Sequence, residues 1–145
     1  MKRIVGAAAI GAAVLGMSYA AAQAVAFGTR LSTVPVDPAT VASITGQGRA
    51  RATLDGRRLA VSGAFEGLQT PANAARLHLG AATGVRGPAI HDLEVARARE
   101  GSVDGQLTLS AREVEALRAG RLYIQIDSEG APEGNLWGWL ISEGS

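Results

Sequence analysis

Apolar and polar residues alternate with a period of two along most of this chain. Over Thr45–Leu54, Arg49, Arg51 and Thr53 fall on one side, and Gly46, Gly48, Ala50, Ala52 and Leu54 on the other. That pattern predicts a strand with one buried and one solvated face. Asp55-Gly56 is a hairpin turn signal, and Leu59, Val61 and Phe65 alternate along the returning strand. A strand over residues 75–79 places Leu77 and Leu79 opposite Arg76 and His78. Gly80 to Pro88 is a Gly-rich loop. Residues 90–97 alternate again, with His91, Leu93 and Val95 on one face. Val103, Gly105, Leu107 and Leu109 line a further strand.

One segment leaves this period. Ser110-Ala111-Arg112-Glu113 is a capping box, in which the Ser oxygen and the Glu carboxylate each satisfy an unpaired backbone N–H. Val114, Leu117 and Arg118 follow at helical spacing, and Gly120 suits the position just past the helix end. Strand alternation then resumes with Leu122, Ile124 and Ile126. Ser128 to Gly134 reads as a turn, and Asn135 to Ile141 as the last strand, with Trp137 and Trp139 opposite Leu136, Gly138 and Leu140. About eight short antiparallel strands with one short helix predict an all-β sandwich or barrel. The absence of strand–helix alternation excludes a doubly wound sheet.

The start of the chain reads differently. Lys2 and Arg3 precede an apolar run from Ile4 to Met17, then small residues ending in Ala22-Gln23-Ala24. This is the pattern of a signal peptide over residues 1–24 cleaved after Ala22-Gln23-Ala24, with Ser18-Tyr19-Ala20 as the second choice of site and an uncleaved anchor as the alternative. Residues 25–42 read as a leading strand and loop stopped by Pro35 and Pro38. The expected location is therefore the periplasm or the exterior, with no membrane association after cleavage.

Composition narrows the chemistry. The 145 residues are the length of one domain, with 14 basic and 13 acidic side chains. Removal of the leader takes away Lys2, the only lysine, together with Arg3. A balance this close to neutral argues against a nucleic-acid partner. The absence of cysteine excludes disulfides, thiolate metal sites and a Cys nucleophile. Neither a phosphate-binding loop nor a nucleophile elbow is present, so no catalytic residues and no cofactor are assigned. His78 and His91 are the only imidazoles. With Asp127 they are weak candidates for a metal site. Asp127, Glu129 and Glu133 crowd one turn, either as a weak Ca²⁺ site or as a solvated acidic turn. Trp137 and Trp139 form either a platform for a sugar or partner, or a face packed against another element. Arg49 and Arg51 are either an anion site or a solvated strand face.

Several pieces of the chain, in order, resemble the CHRD domain, a chordin-type module also found in exported bacterial proteins. These are Leu31-Ser32 with Val34-Pro35, then Gly48-Arg49-Ala50-Arg51-Ala52-Thr53-Leu54-Asp55-Gly56, and Ala74-Ala75-Arg76-Leu77-His78 with Gly87-Pro88. Arg57-Arg58-Leu59, Gly67-Leu68, Leu107-Thr108-Leu109-Ser110, Leu117–Ile126 and Pro132-Glu133-Gly134-Asn135-Leu136-Trp137-Gly138 complete the set. The resemblance covers residues 27–141. It implies an antiparallel immunoglobulin-like or superoxide-dismutase-like β-sandwich, in a family that includes an extracellular regulator binding growth factors. Typical bacterial members carry His-x-His-Gly-Pro and a later Ile-His-Thr, similar to a copper-binding strand. Here Arg76 stands at the first His position, His78 keeps the second, and Asp127 stands at the later one. The resemblance therefore implies loss of a three-imidazole site and an Arg76–Asp127 ion pair in its place.

The expected function is a non-enzymatic, exported binding or structural module whose partner is an extracytoplasmic protein or ligand. A metal-binding module related to dismutase-like sandwiches is the alternative.

Overall fold

A computed structural model describes residues 24–143. The leader expected over residues 1–24 lies, but for Ala24, outside the described residues. Nine strands and one helix follow in chain order: β1 Val25–Thr33, β2 Gln47–Asp55, β3 Arg58–Glu66, β4 Ala72–Leu79, β5 Ala89–Val95, β6 Gly101–Thr108, α1 Ala111–Arg118, β7 Leu122–Ser128, β8 Ala131–Trp139 and the short β9 Ile141–Ser142. Among the described residues, no helix is long and apolar enough to cross a membrane.

Every pairing is antiparallel, in the order β2-β3-β6-β5-β4-β7-β8-β1, and β1 returns to pair with β2. The ring is closed, so the expected open sandwich is corrected to an eight-stranded barrel. Closure rests on two corner strands. β1 pairs with β2 from Val25 to Leu31 and then with β8 through Ser32↔Trp137 and Thr33↔Leu136. β5 pairs with β4 from Ala89 to Leu93 and then with β6 through Glu94↔Asp104 and Val95↔Val103. A closed sheet satisfies the edge groups that two stacked layers would leave open.

The predicted β2–β3 hairpin forms, with Leu54 opposite Leu59 and Asp55 opposite Arg58. Gly56 sits in its turn at φ 64°, a left-handed conformation that glycine adopts without steric cost. The interior is filled by Phe27, Leu31, Leu54, Leu77, Ile124 and Leu136, among others, all at most 1% exposed. Eight strands enclose just enough room for such side chains, so the barrel holds a packed core rather than a channel. The capping box of α1 forms as predicted: Glu113 N donates to Ser110 Oγ (3.1 Å) and Ser110 N to Glu113 Oε1 (3.0 Å). Ala116 and Leu117 of the helix join the core.

One boundary is corrected. The expected turn over Ser128 to Gly134 is only Glu129-Gly130, because Ser128 already pairs with Ala131 and β8 begins there. Pro132 and Gly134 look like strand breakers, yet Pro132 lies at the exposed start of the strand, where its missing N–H is tolerated.

Candidate functional site

β7 differs from every other strand in being buried on both faces. Leu122, Ile124, Ile126 and Ser128 point into the barrel, and Tyr123, Gln125 and Asp127 point outward. The outward set joins residues of the flanking strands through register: His78↔Tyr123↔Trp139 and Arg76↔Gln125↔Trp137. The outer face of β4, β7 and β8 thus collects most of the residues singled out in the sequence.

Its aromatic part is continuous. The His78 ring stacks on Tyr123 with centroids 4.8 Å apart, and Tyr123 lies 4.2 Å from Trp139 and 5.8 Å from Trp137. The indoles are 6.1 Å apart and edge-on to one another. Both are half-buried on this outer face. The guanidinium of Arg86 lies 5.0 Å from the Trp137 ring centre, a cation–π distance.

Arg86 reaches this position because the loop of residues 80–88 folds back over the face. Tyr123 Oη accepts from Gly87 N and donates to Gly87 O, both at 3.0 Å. His78 Nδ1 donates to the same carbonyl at 2.9 Å. A Cβ on Gly87 would collide with the Leu79 carbonyl oxygen, so only glycine lets the loop approach this closely. On the other flank, Val34, Ile44 and Ala131 form a small cluster against Trp137. Asn135, fully buried, accepts from Ser128 Oγ (2.8 Å) and donates to the Thr45 carbonyl (2.8 Å), which ties the segment before β2 to β8.

The polar part of the face is an ion-pair network. Arg76 Nη1 lies 3.2 Å from Asp127 Oδ2, and Arg76 Nε lies 3.4 Å from Asp92, which is almost fully exposed. Gln125 Nε2 donates to Asp127 Oδ1 at 2.9 Å and to the Glu133 carbonyl at 3.3 Å. Gln125 Oε1 is buried without a partner among the described residues. A buried amide oxygen in that state costs free energy unless it meets a donor.

The three metal-site candidates, His78, His91 and Asp127, are not brought together around one point. His91 is the register partner of Leu77 and so shares its side of the sheet, whereas His78 points the other way. His91 Nε2 instead lies 3.0 Å from Glu113 Oε1 of the capping box. Burial pushes the Glu113 pKa up. Hydrogen bonds from His91 and the Ser110 backbone, with the attraction of His91 and Arg57, outweigh this and hold it below its ordinary value of 4.5. Among the described residues, no group of three or more His, Asp or Glu stands close enough to share an ion.

At the positions where the CHRD resemblance expects imidazoles, the donor set does not fit an imidazole-held copper. A guanidinium offers no lone pair, both Asp127 oxygens accept hydrogen bonds, and His78 Nδ1 is committed to Gly87. Glu129 and Glu133 are exposed and are not gathered with Asp127 around a common point. Arg51 pairs with Glu143 at 2.8 Å, and Arg49 is exposed on the opposite side of the barrel.

Sequence reading placed Arg76, His78 and the two Trp on the strand faces they occupy, whereas Asp127, read with Glu129 and Glu133 as part of an acidic turn, lies within β7. It did not single out Tyr123, Gln125, Arg86 or Gly87. Alternation alone puts Tyr123 and Gln125 on the face of Asp127, but only the folded loop shows that this face is covered.

No curated protein and no solved structure matches the chain. A family model described as the CHRD domain matches residues 27–140. That match spans nearly all of the described barrel, and the chain belongs to the CHRD domain family.

Proposed function

We propose that this chain is a non-enzymatic module that works outside the cytoplasm and binds a protein or ligand through the outer face of β4, β7 and β8. The observation that carries this reading is the Arg76–Asp127 pair at 3.2 Å, with Asp127 buried. Charges that in the resembling pattern would give way to imidazoles are here engaged with each other. What the face offers a visitor is the half-buried indoles of Trp137 and Trp139 and the guanidinium of Arg86. Rigid strands carry the first two and a latched loop the third, the arrangement expected of a recognition surface. The apolar leader over residues 1–24 supports export to the periplasm or beyond.

Both tryptophans of the chain lie on this face, so intrinsic fluorescence reports on it alone. Titration with envelope polysaccharides and extracytoplasmic proteins is expected to shift that emission for a true partner, and Trp139→Ala is expected to abolish the response. Titration with Cu²⁺ and Zn²⁺ distinguishes the alternative of a metal-binding module. Stoichiometric binding that survives dialysis and is lost in His78→Ala would overturn the present reading in its favour. Export is checked by the mass of the protein recovered from cells, which is expected to begin at Val25.

A further inference from the structure

The opposite side of the barrel, the outer face of β1, β2, β3, β6 and β5, carries two unfavourable cross-strand pairs of opposite sign. Arg30 and Arg49 are direct register partners, both exposed. Glu94 and Asp104 are direct register partners, both exposed. None of the four has an ion-pair partner among the described residues. Like charges directly opposite on neighbouring strands destabilise a sheet. Each pair is therefore a cost to the isolated chain.

The placement of the two pairs is symmetric. The basic pair lies between β1 and β2 and the acidic pair between β6 and β5, so about three strand spacings, roughly 14 Å, separate them. The midpoint across the sheet is β3. Along the strands, the basic row continues to Ala64 and the acidic row to Ser62. The midpoint thus falls at Gly63, between two small outward side chains. The surface dips on both sides of β3. A depression of about 650 Å³ is edged by Arg30, Arg49 and the Arg51–Glu143 pair, and one of about 740 Å³ by Asp92, Glu94 and Asp104, with Arg51 on the rim that the two share.

We propose that this face is the contact surface for a second copy of the same chain, related by a twofold axis near Gly63. In that arrangement the Arg30/Arg49 end of each copy meets the Glu94/Asp104 end of the other. Isologous contact requires a self-complementary patch, and a patch split into opposite charges about a small-residue centre meets that requirement. Five strands present a face roughly 24 Å wide and 20 Å long, at the low end of specific interfaces. The dimer is accordingly weak and sensitive to salt. It would leave the two β4–β7–β8 faces pointing away from each other, free to engage a partner bivalently.

The test is sedimentation of the purified protein, as recovered from the expressing cells, at low and high salt. The wild type is expected to form dimers whose dissociation constant rises about tenfold or more between low and high salt. R30E/R49E carries acid at both ends and E94R/D104R carries base at both ends. Each is expected to be monomeric alone with an unchanged circular dichroism spectrum, and an equimolar mixture is expected to associate. A wild type that stays monomeric at low salt would overturn the proposal. So would double variants that associate like wild type, or a mixture that fails to associate. Monomeric wild type retained on a sulfated-polysaccharide column, and lost from it in R30E/R49E, would instead make the arginine end a polyanion site.

Discussion

Arg76 and Asp127 are diagonal neighbours on adjacent strands, Arg76 opposite Gln125 and Asp127 opposite Ala74, and their side chains meet at 3.2 Å. The burial of the two partners is unequal. The Asp127 side chain is 8% exposed and that of Arg76 is 42% exposed. The carboxylate has lost most of its water, and the guanidinium and the Gln125 amide replace it.

That inequality predicts an asymmetric response to mutation. Arg76→Ala strands a buried carboxylate and is expected to cost about 1–3 kcal/mol in urea unfolding. Asp127→Ala leaves an arginine able to turn to solvent and is expected to cost less. The double variant is expected to recover part of the Arg76→Ala loss in a double-mutant cycle. Equal losses in the two single variants would show that the pair does not carry the energy.

Glu113 makes stability depend on pH. Its folded pKa lies below the ordinary 4.5, with burial opposed and outweighed by the contacts of His91, Ser110 and Arg57. A carboxyl depressed in the fold contributes stability that is complete above the unfolded value and is lost as pH falls through the folded one. The urea midpoint of wild type is therefore expected to fall between pH 5 and pH 3 more steeply than that of Glu113→Gln, measured with the same buffer series. Ser110→Ala removes the other half of the capping box and is expected to cost about 1 kcal/mol at neutral pH.

Tyr123→Phe removes the hydroxyl that both donates to and accepts from Gly87. The expected loss is about 1–2 kcal/mol, with faster hydrogen exchange at the Gly87 amide while core amides stay protected. Gly87→Ala forces a methyl into the Leu79 carbonyl and is expected to disturb the loop more than Tyr123→Phe does. Either change should also shift tryptophan emission, since Arg86 rides on the same loop.

Leu117 is fully buried where α1 meets the core. Leu117→Ala is expected to cost about 2–5 kcal/mol through lost burial and the cavity left behind, read as a lowered thermal midpoint.

Much of this architecture is written locally. The β2–β3 hairpin and the helix were legible because each has one solvated face and its own stop signals, Gly56 for the turn and Ser110 with Glu113 for the helix. β8 was read too short, because Pro132 and Gly134 carry the composition of a turn while lying in a strand. β7 was read for its inner face alone, since alternation says nothing of what covers the outer one.

The sequence by itself determined the strands, the capped helix, the family, and the faces on which Arg76, His78, His91 and the two Trp lie. These depend on a period of two, on backbone capping and on turn chemistry, all within reach of a few neighbouring residues. Only the tertiary structure decided that the sheet closes, that the loop of residues 80–88 covers the outer face of β7, and that Gly87 reaches Tyr123 across 36 positions of chain. Those outcomes depend on how β1 and β5 bend from one side of the barrel to the other. Such long-range contacts are selected by the packing of the whole core, and no local pattern encodes them.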